Sequence, residues 1–246
     1  MALAALGQLT LAAPLANAAQ YHLAQASSAA GSPLAAGLED ALNSGDRGKL
    51  EQLISPAATL DPALVTTRLL RLGQTFSDLH WEVSETRARA GGEVSLTIQV
   101  KGRRSSDGID YRLEAVQDVA VSIAGDGTIT GQRILREESF VYSGDMRLAV
   151  HLQIPDAVRT GERYDVDVIV DEPLGEAVLA GGILEVTPAV AAALDAPAIQ
   201  LGILYGGGLF KRVQAPYQGD AQTWAVMLLH PEGTLIASKR VRLIDP

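Results

Sequence analysis

From Leu34 onward, apolar residues recur at helical spacing. Leu34, Leu38, Ala41 and Leu42 form one stripe, a break falls at Ser44-Gly45-Asp46, and Leu50, Leu53 and Ile54 continue an apolar face. Asp46 is placed to cap the second piece. Asp61-Pro62 opens a third helix, whose apolar side is Leu64, Leu69, Leu70 and Leu72, before Gly73. The period then drops to two. Trp81 and Val83 alternate with polar neighbours, as do Val94, Leu96, Ile98 and Val100, then Tyr111, Leu113, Ala115, Val119, Val121 and Ile123. A last long strand runs from about Thr128 to Tyr142. Turns are expected at Ala90-Gly91-Gly92, Ser105-Ser106-Asp107-Gly108 and Gly125-Asp126-Gly127, the last two carrying the Asp-Gly pair of tight hairpins.

After Ser143-Gly144-Asp145 the helical pattern does not return, apart from one short turn expected in Ala189 to Leu194. Short alternating runs follow, among them Tyr164 to Val170, Ile199 to Ile203, Leu209 to Val213, Trp224 to Leu228 and Leu235 to Leu243. About seven strands in about 100 residues is the spacing of a β-sandwich of immunoglobulin-like architecture. Trp224 shares strand parity with Val226 and Leu228, which predicts a core position. The expectation is therefore an α+β chain. Residues 34–143 form a cone of helices and curved antiparallel sheet, residues 144–246 an all-β sandwich, and the two are separable folding units.

Ahead of these, no charged side chain precedes Glu39. Residues 1–19 are apolar and Ala-rich, with Ala16-Asn17-Ala18 and Ala24-Gln25-Ala26 as cleavage sites, which predicts a signal peptide and export to the periplasm or beyond. Residues 20–33 form a flexible lead-in. The apolar run is too short to span a bilayer, so no integral membrane segment is expected.

The first unit resembles the nuclear transport factor two-like (SnoaL-like) superfamily. The residues that carry the resemblance are Ala41-Leu42-Asn43-Ser44-Gly45-Asp46 through Leu50 to Pro56, and the closing hairpin Val119 to Ile123, Gly125-Asp126-Gly127, Ile129 to Leu135. The resemblance implies a pocket inside the cone, in a family of isomerases, cyclases, dehydratases and members that only bind. Proton abstraction from carbon needs a desolvated base and a donor for the enolate oxygen. Tyr111 and Gln117 fall on the inward parity of their strand and, with Asp118, are the candidate pocket-lining residues. Asp78 and His80 read as a strand's polar face. Lys101-Gly102-Arg103-Arg104 stands where SnoaL-like enzymes often carry His.

Composition narrows the chemistry. A formal charge of −9 and an aromatic content of 4% disfavour nucleic acid as a partner. With no Cys, thiolate metal sites and cysteine nucleophiles are excluded. His22, His80, His151 and His230 stand singly, without metal-ligand spacing, and Gly206-Gly207-Gly208 lacks the context of a phosphate loop. No metal or other cofactor is expected. Asp165, Asp167 and Asp171 read as a solvated strand face rather than a Ca²⁺ site. Lys211 and Arg212, with Lys239, Arg240 and Arg242, are the basic clusters of an acidic half and a candidate anion or partner patch. The reading favoured is a non-catalytic binding or assembly protein of the cell envelope, taking a protein partner or a small apolar ligand. The alternative is a SnoaL-like enzyme acting on a small apolar molecule.

Overall fold

The computed structural model describes residues 32–55, 62–88, 93–145, 148–171, 179–187, 190, 197–204 and 207–245. The signal peptide and lead-in expected within residues 1–31, the Ala90-Gly91-Gly92 turn and nearly all of the expected 189–194 turn lie outside them.

Among the described residues three helices come first. Helix α1 (Pro33–Ser44) has Pro in its first turn and ends on Gly45, whose φ of 63° is the left-handed cap conformation that glycine adopts without steric cost. Helix α2 (Arg47–Leu53) starts where Asp46 accepts hydrogen bonds from the backbone N–H groups of Gly48 and Lys49, at 2.8 and 3.3 Å. Helix α3 (Pro62–Thr75) follows. Four long strands come next: β1 (Asp78–Ala88), β2 (Glu93–Ser106), β3 (Ile109–Ile123) and β4 (Ile129–Gly144). The β2–β3 turn has positive φ at both Asp107 and Gly108, as a two-residue hairpin of the twist-matched type requires.

The second half adds β5 (Val150–Gln153), β6 (Ala157–Arg159), β7 (Arg163–Val170), β8 (Leu179–Val186), β9 (Gly202–Leu204), β10 (Gly208–Gln214), β11 (Ala221–His230) and β12 (Gly233–Ile244). Strand β12 pairs antiparallel with β4, from Gly233 opposite Gly144 to Arg240 opposite Glu137. One sheet therefore runs β1-β2-β3-β4-β12-β11-β8-β9, with β6 attached to the end of β12. The other sheet is β10-β7-β5.

This pairing corrects the expected fold class. The protein is mostly β, and its helix-bearing half and its all-β half share a single large antiparallel sheet. It is not a helix-plus-sheet cone followed by a separate sandwich. The hairpin meander does not close on itself, because its last strand finds its second neighbour about ninety residues later, in β12.

Each face of the large sheet is covered at a different end. On one face, α1 packs on Val83, Leu96, Val119, Val121 and Ile134, and the end of α3 brings Leu72 and Phe76 against Trp81, Val100, Tyr111 and Leu113. On the opposite face, Phe140 and Tyr142 of β4 join Leu235 and Ala237 of β12 and Val226 and Leu228 of β11 beneath Val150, Val168 and Val170 of the small sheet. Sheet-on-sheet packing is thus present, with one layer supplied by the sheet that carries the helices. Trp224 is 2% exposed and lies in the neighbouring cluster with Val166, Tyr164 and Val241, as its parity predicts.

Candidate functional site

Between the helices and the sheet lies a cavity of about 80 Å³. Its wall is mainly Leu38, Leu42, Leu50 and Leu53 from α1 and α2, with Val119, Val121 and Ile129 from the sheet. Among the described residues three polar side chains reach it: Arg68 from α3, Gln117 from β3 and Gln132 from β4. A pocket for a drug-sized molecule is several times larger, roughly 300–1,000 Å³. The space suits a few carbon atoms with one hydrogen-bonding group.

Beside Gln117 sits a residue that alternation conceals. Strand β4 carries a bulge: Val119 faces Ile134, but Asp118 already faces Arg136, so Leu135 is the extra residue. Past it the parity reverses, and Glu137, directly opposite Gln117 on β3 and Arg240 on β12, turns to the helix side. Burial pushes its carboxyl up to about 8, against the pull of the Arg240 and Arg68 charges. Arg68 is itself lowered, mainly by burial and against the Glu137 charge. Glu137 and Gln117 border a gap of about 10 Å³, no more than one water's room.

The remaining candidates are spread apart. Tyr111 is buried, its ring under the Arg104 guanidinium at 4.3 Å and packed with Phe76 and Leu113. It borders the end of the sheet, away from the cavity. Asp118 points to the other face, where the Thr97 hydroxyl donates to it at 2.6 Å. Of the three, only Gln117 reaches the cavity. His80 stands 3.7 Å from Glu82 on the exposed face of β1, and Asp78 is exposed at the start of that strand. At Gly102 a Cβ would come within 2.7 Å of Leu79 and 3.2 Å of Phe76. Apolar packing occupies that position.

The two basic clusters belong to different sheets. Lys211 and Arg212 lie on β10; Arg212 reaches Asp165 at 3.6 Å, and the Lys211 ammonium sits 5.1 Å from the Trp224 ring. Lys239, on β12, is buried and donates to Glu138 at 3.0 Å and Asp156 at 2.5 Å. Arg240 and Arg242 alternate with it on the helix-side face. Asp171 is engaged by His151, and Asp165 by Arg212. Among the described residues no three His, Asp or Glu side chains converge as a metal site.

Residues 145–244 match the model of a family described as a domain of unknown function, DUF8623. No curated protein matches the chain. Among the described residues no helix is long and apolar enough to cross a membrane.

Proposed function

We propose that the protein is exported and acts in the cell envelope as a non-catalytic binding or assembly protein. The charge-free apolar run of residues 1–19, ending in Ala16-Asn17-Ala18, supports export. The observation that carries binding over catalysis is the chemistry of the cavity wall. Among the described residues Gln117, Gln132 and Arg68 are the polar groups that reach it; amides donate and accept hydrogen bonds and a guanidinium donates them, without exchanging protons near neutral pH. A Leu-, Ile- and Val-lined space of this size takes an apolar end, either of a small molecule or of a partner's aliphatic side chain, and the amides orient it.

The test is a methyl NMR titration of the full chain with isobutanol, an apolar end bearing one hydroxyl, alongside intact-mass measurement of the protein from its native host. The reading expects saturable shifts at Leu38, Leu42, Val119 and Val121, an unchanged probe, and a mature chain starting near Ala19 or Ser27 in an envelope fraction. A cavity that stays silent removes the pocket from the account. Turnover of any small molecule that disappears in Gln117→Leu or Glu137→Gln overturns the non-catalytic reading.

A further inference from the structure

A second concavity lies at the end of the sheet where the β2–β3 hairpin projects past the start of β1 and the end of β4. It is an open cleft of about 550 Å³, and Asp78, Arg103, Arg104, Arg112 and Asp145 are on its wall. Arg103 and Arg112 are direct cross-strand partners on β2 and β3. Like charges so placed repel, and a sheet tolerates the pair better when an anion sits between them. None of the three guanidiniums lies within 4.0 Å of a carboxylate among the described residues. Nη2 of Arg112, on the same face as Arg103, is a buried atom that finds no acceptor among the described residues. A buried donor without an acceptor is costly, and a ligand oxygen that draws the Arg112 group toward the cleft would relieve it.

Aromatic rings also lie against two of these groups, on opposite faces of the sheet. The Arg112 guanidinium lies 5.2 Å from the centroid of the Tyr142 ring, and that of Arg104 lies 4.3 Å from Tyr111. Tyr111 is buried among Leu72, Phe76 and Leu113, and Tyr142 in the core on the opposite face. The ring contact takes up no acceptor, so Arg112 keeps N–H donors for a planar oxyanion. Asp78 and Asp145 share the wall, and Asp110, held by the Ser105 hydroxyl, stands beside Arg112. These carboxylates oppose a concentrated double negative charge, and Asp78, directly opposite Arg103, offers an acceptor to a ligand's own donor.

We propose that this cleft binds a small organic monocarboxylate that carries a hydroxyl or amino group, its carboxylate seated on Arg103 and Arg112 and its donor turned toward Asp78. The site is separate from the helix–sheet cavity and stands or falls independently of it.

The experiment is titration of the full chain with lactate and with glycine, read by the arginine Nε–H resonances, with chloride and inorganic phosphate at matched ionic strength as comparisons. The expected result is saturable shifts at Arg103 and Arg112 with lactate or glycine. Affinity should fall roughly tenfold or more in Arg112→Gln, the loss of charged hydrogen bonds. Arg103 is exposed, so Arg103→Gln leaves the core untouched and should weaken binding similarly, while Lys101→Gln, one row away on the same face, should not. Shifts that track ionic strength alone, tighter binding of phosphate than of either carboxylate, or unchanged affinity in Arg103→Gln would each overturn the proposal.

Discussion

Glu137 couples the protein's stability to pH. The folded chain holds its carboxyl proton up to about 8, whereas an unfolded chain releases it near the ordinary value of 4.5. Between those values the folded state binds more protons than the unfolded state. The stability this group contributes is therefore complete below about 4.5 and is lost as pH rises through about 8, at about 1.4 kcal/mol per pH unit. Glu137→Gln keeps the shape and removes the titration. Urea unfolding at pH 5, 6.5 and 8 should show the variant gaining on the parent as pH rises; parallel stabilities across that range would show that the carboxyl is not held protonated. Trp224 is a simpler case. Its indole N–H donates to the Tyr164 hydroxyl at 2.9 Å, which donates to Gln222 at 2.8 Å, and Gln222 donates in turn to Glu185 at 2.9 Å. A residue read from parity alone as apolar core also anchors a buried polar chain, which parity could not disclose.

Helix α1 does more than cover an apolar face. The Asn43 amide pairs with both backbone groups of Trp81, accepting from its N–H at 2.9 Å and donating to its C=O at 2.8 Å. Glu39 accepts from the N–H of Val83 at 2.8 Å. Two helix side chains thus stand in for a missing neighbour along the outer edge of β1, the edge at which a sheet is open to self-association. Asn43→Ala should destabilise the protein by about 1–2 kcal/mol, because buried backbone groups lose their partners. It should also raise its tendency to dimerise in concentrated solution. Sedimentation and chemical denaturation of the variant check both, and a protein unchanged in stability and association would show that the edge needs no cover. Legibility differs along the same helix. The stripe of Leu34, Leu38 and Leu42 announces itself by spacing, but nothing local to Asn43 says that its partner is a strand thirty-eight residues on.

At the scale of the molecule, β4 and β12 are the joint. Strand β4 carries helix-side residues such as Val141 on one face and Phe140 and Tyr142 on the other, and β12 continues the second layer with Leu235 and Ala237. Ser139 and Ser238 meet across the joint at 2.6 Å, and Lys239 bridges Glu138 to Asp156. A shared sheet with continuous cores predicts one cooperative thermal transition for the whole chain. A fragment spanning 145–246 should melt at lower temperature or self-associate, since it leaves the β12 edge from Gly233 to Arg240 unpaired and removes Phe140 and Tyr142 from its core. A fragment that stays monomeric and melts like the whole would restore two independent units. The sequence by itself determined what is decided within a few residues: the Asp46 cap, the Gly45 stop, the Asp107-Gly108 turn, the change of period from helix to strand, and the inward parity of Trp224, Tyr111 and Gln117. These depend on local backbone geometry and on the spacing of apolar side chains. Only the tertiary structure decided that β12 lies beside β4, that the bulge at Leu135 carries Glu137 inward, and that Arg103 faces Arg112 at the mouth of a cleft. Strands pair through backbone groups that every residue shares, so alternation sets which face is buried while leaving the neighbouring strand to the packing of the whole chain.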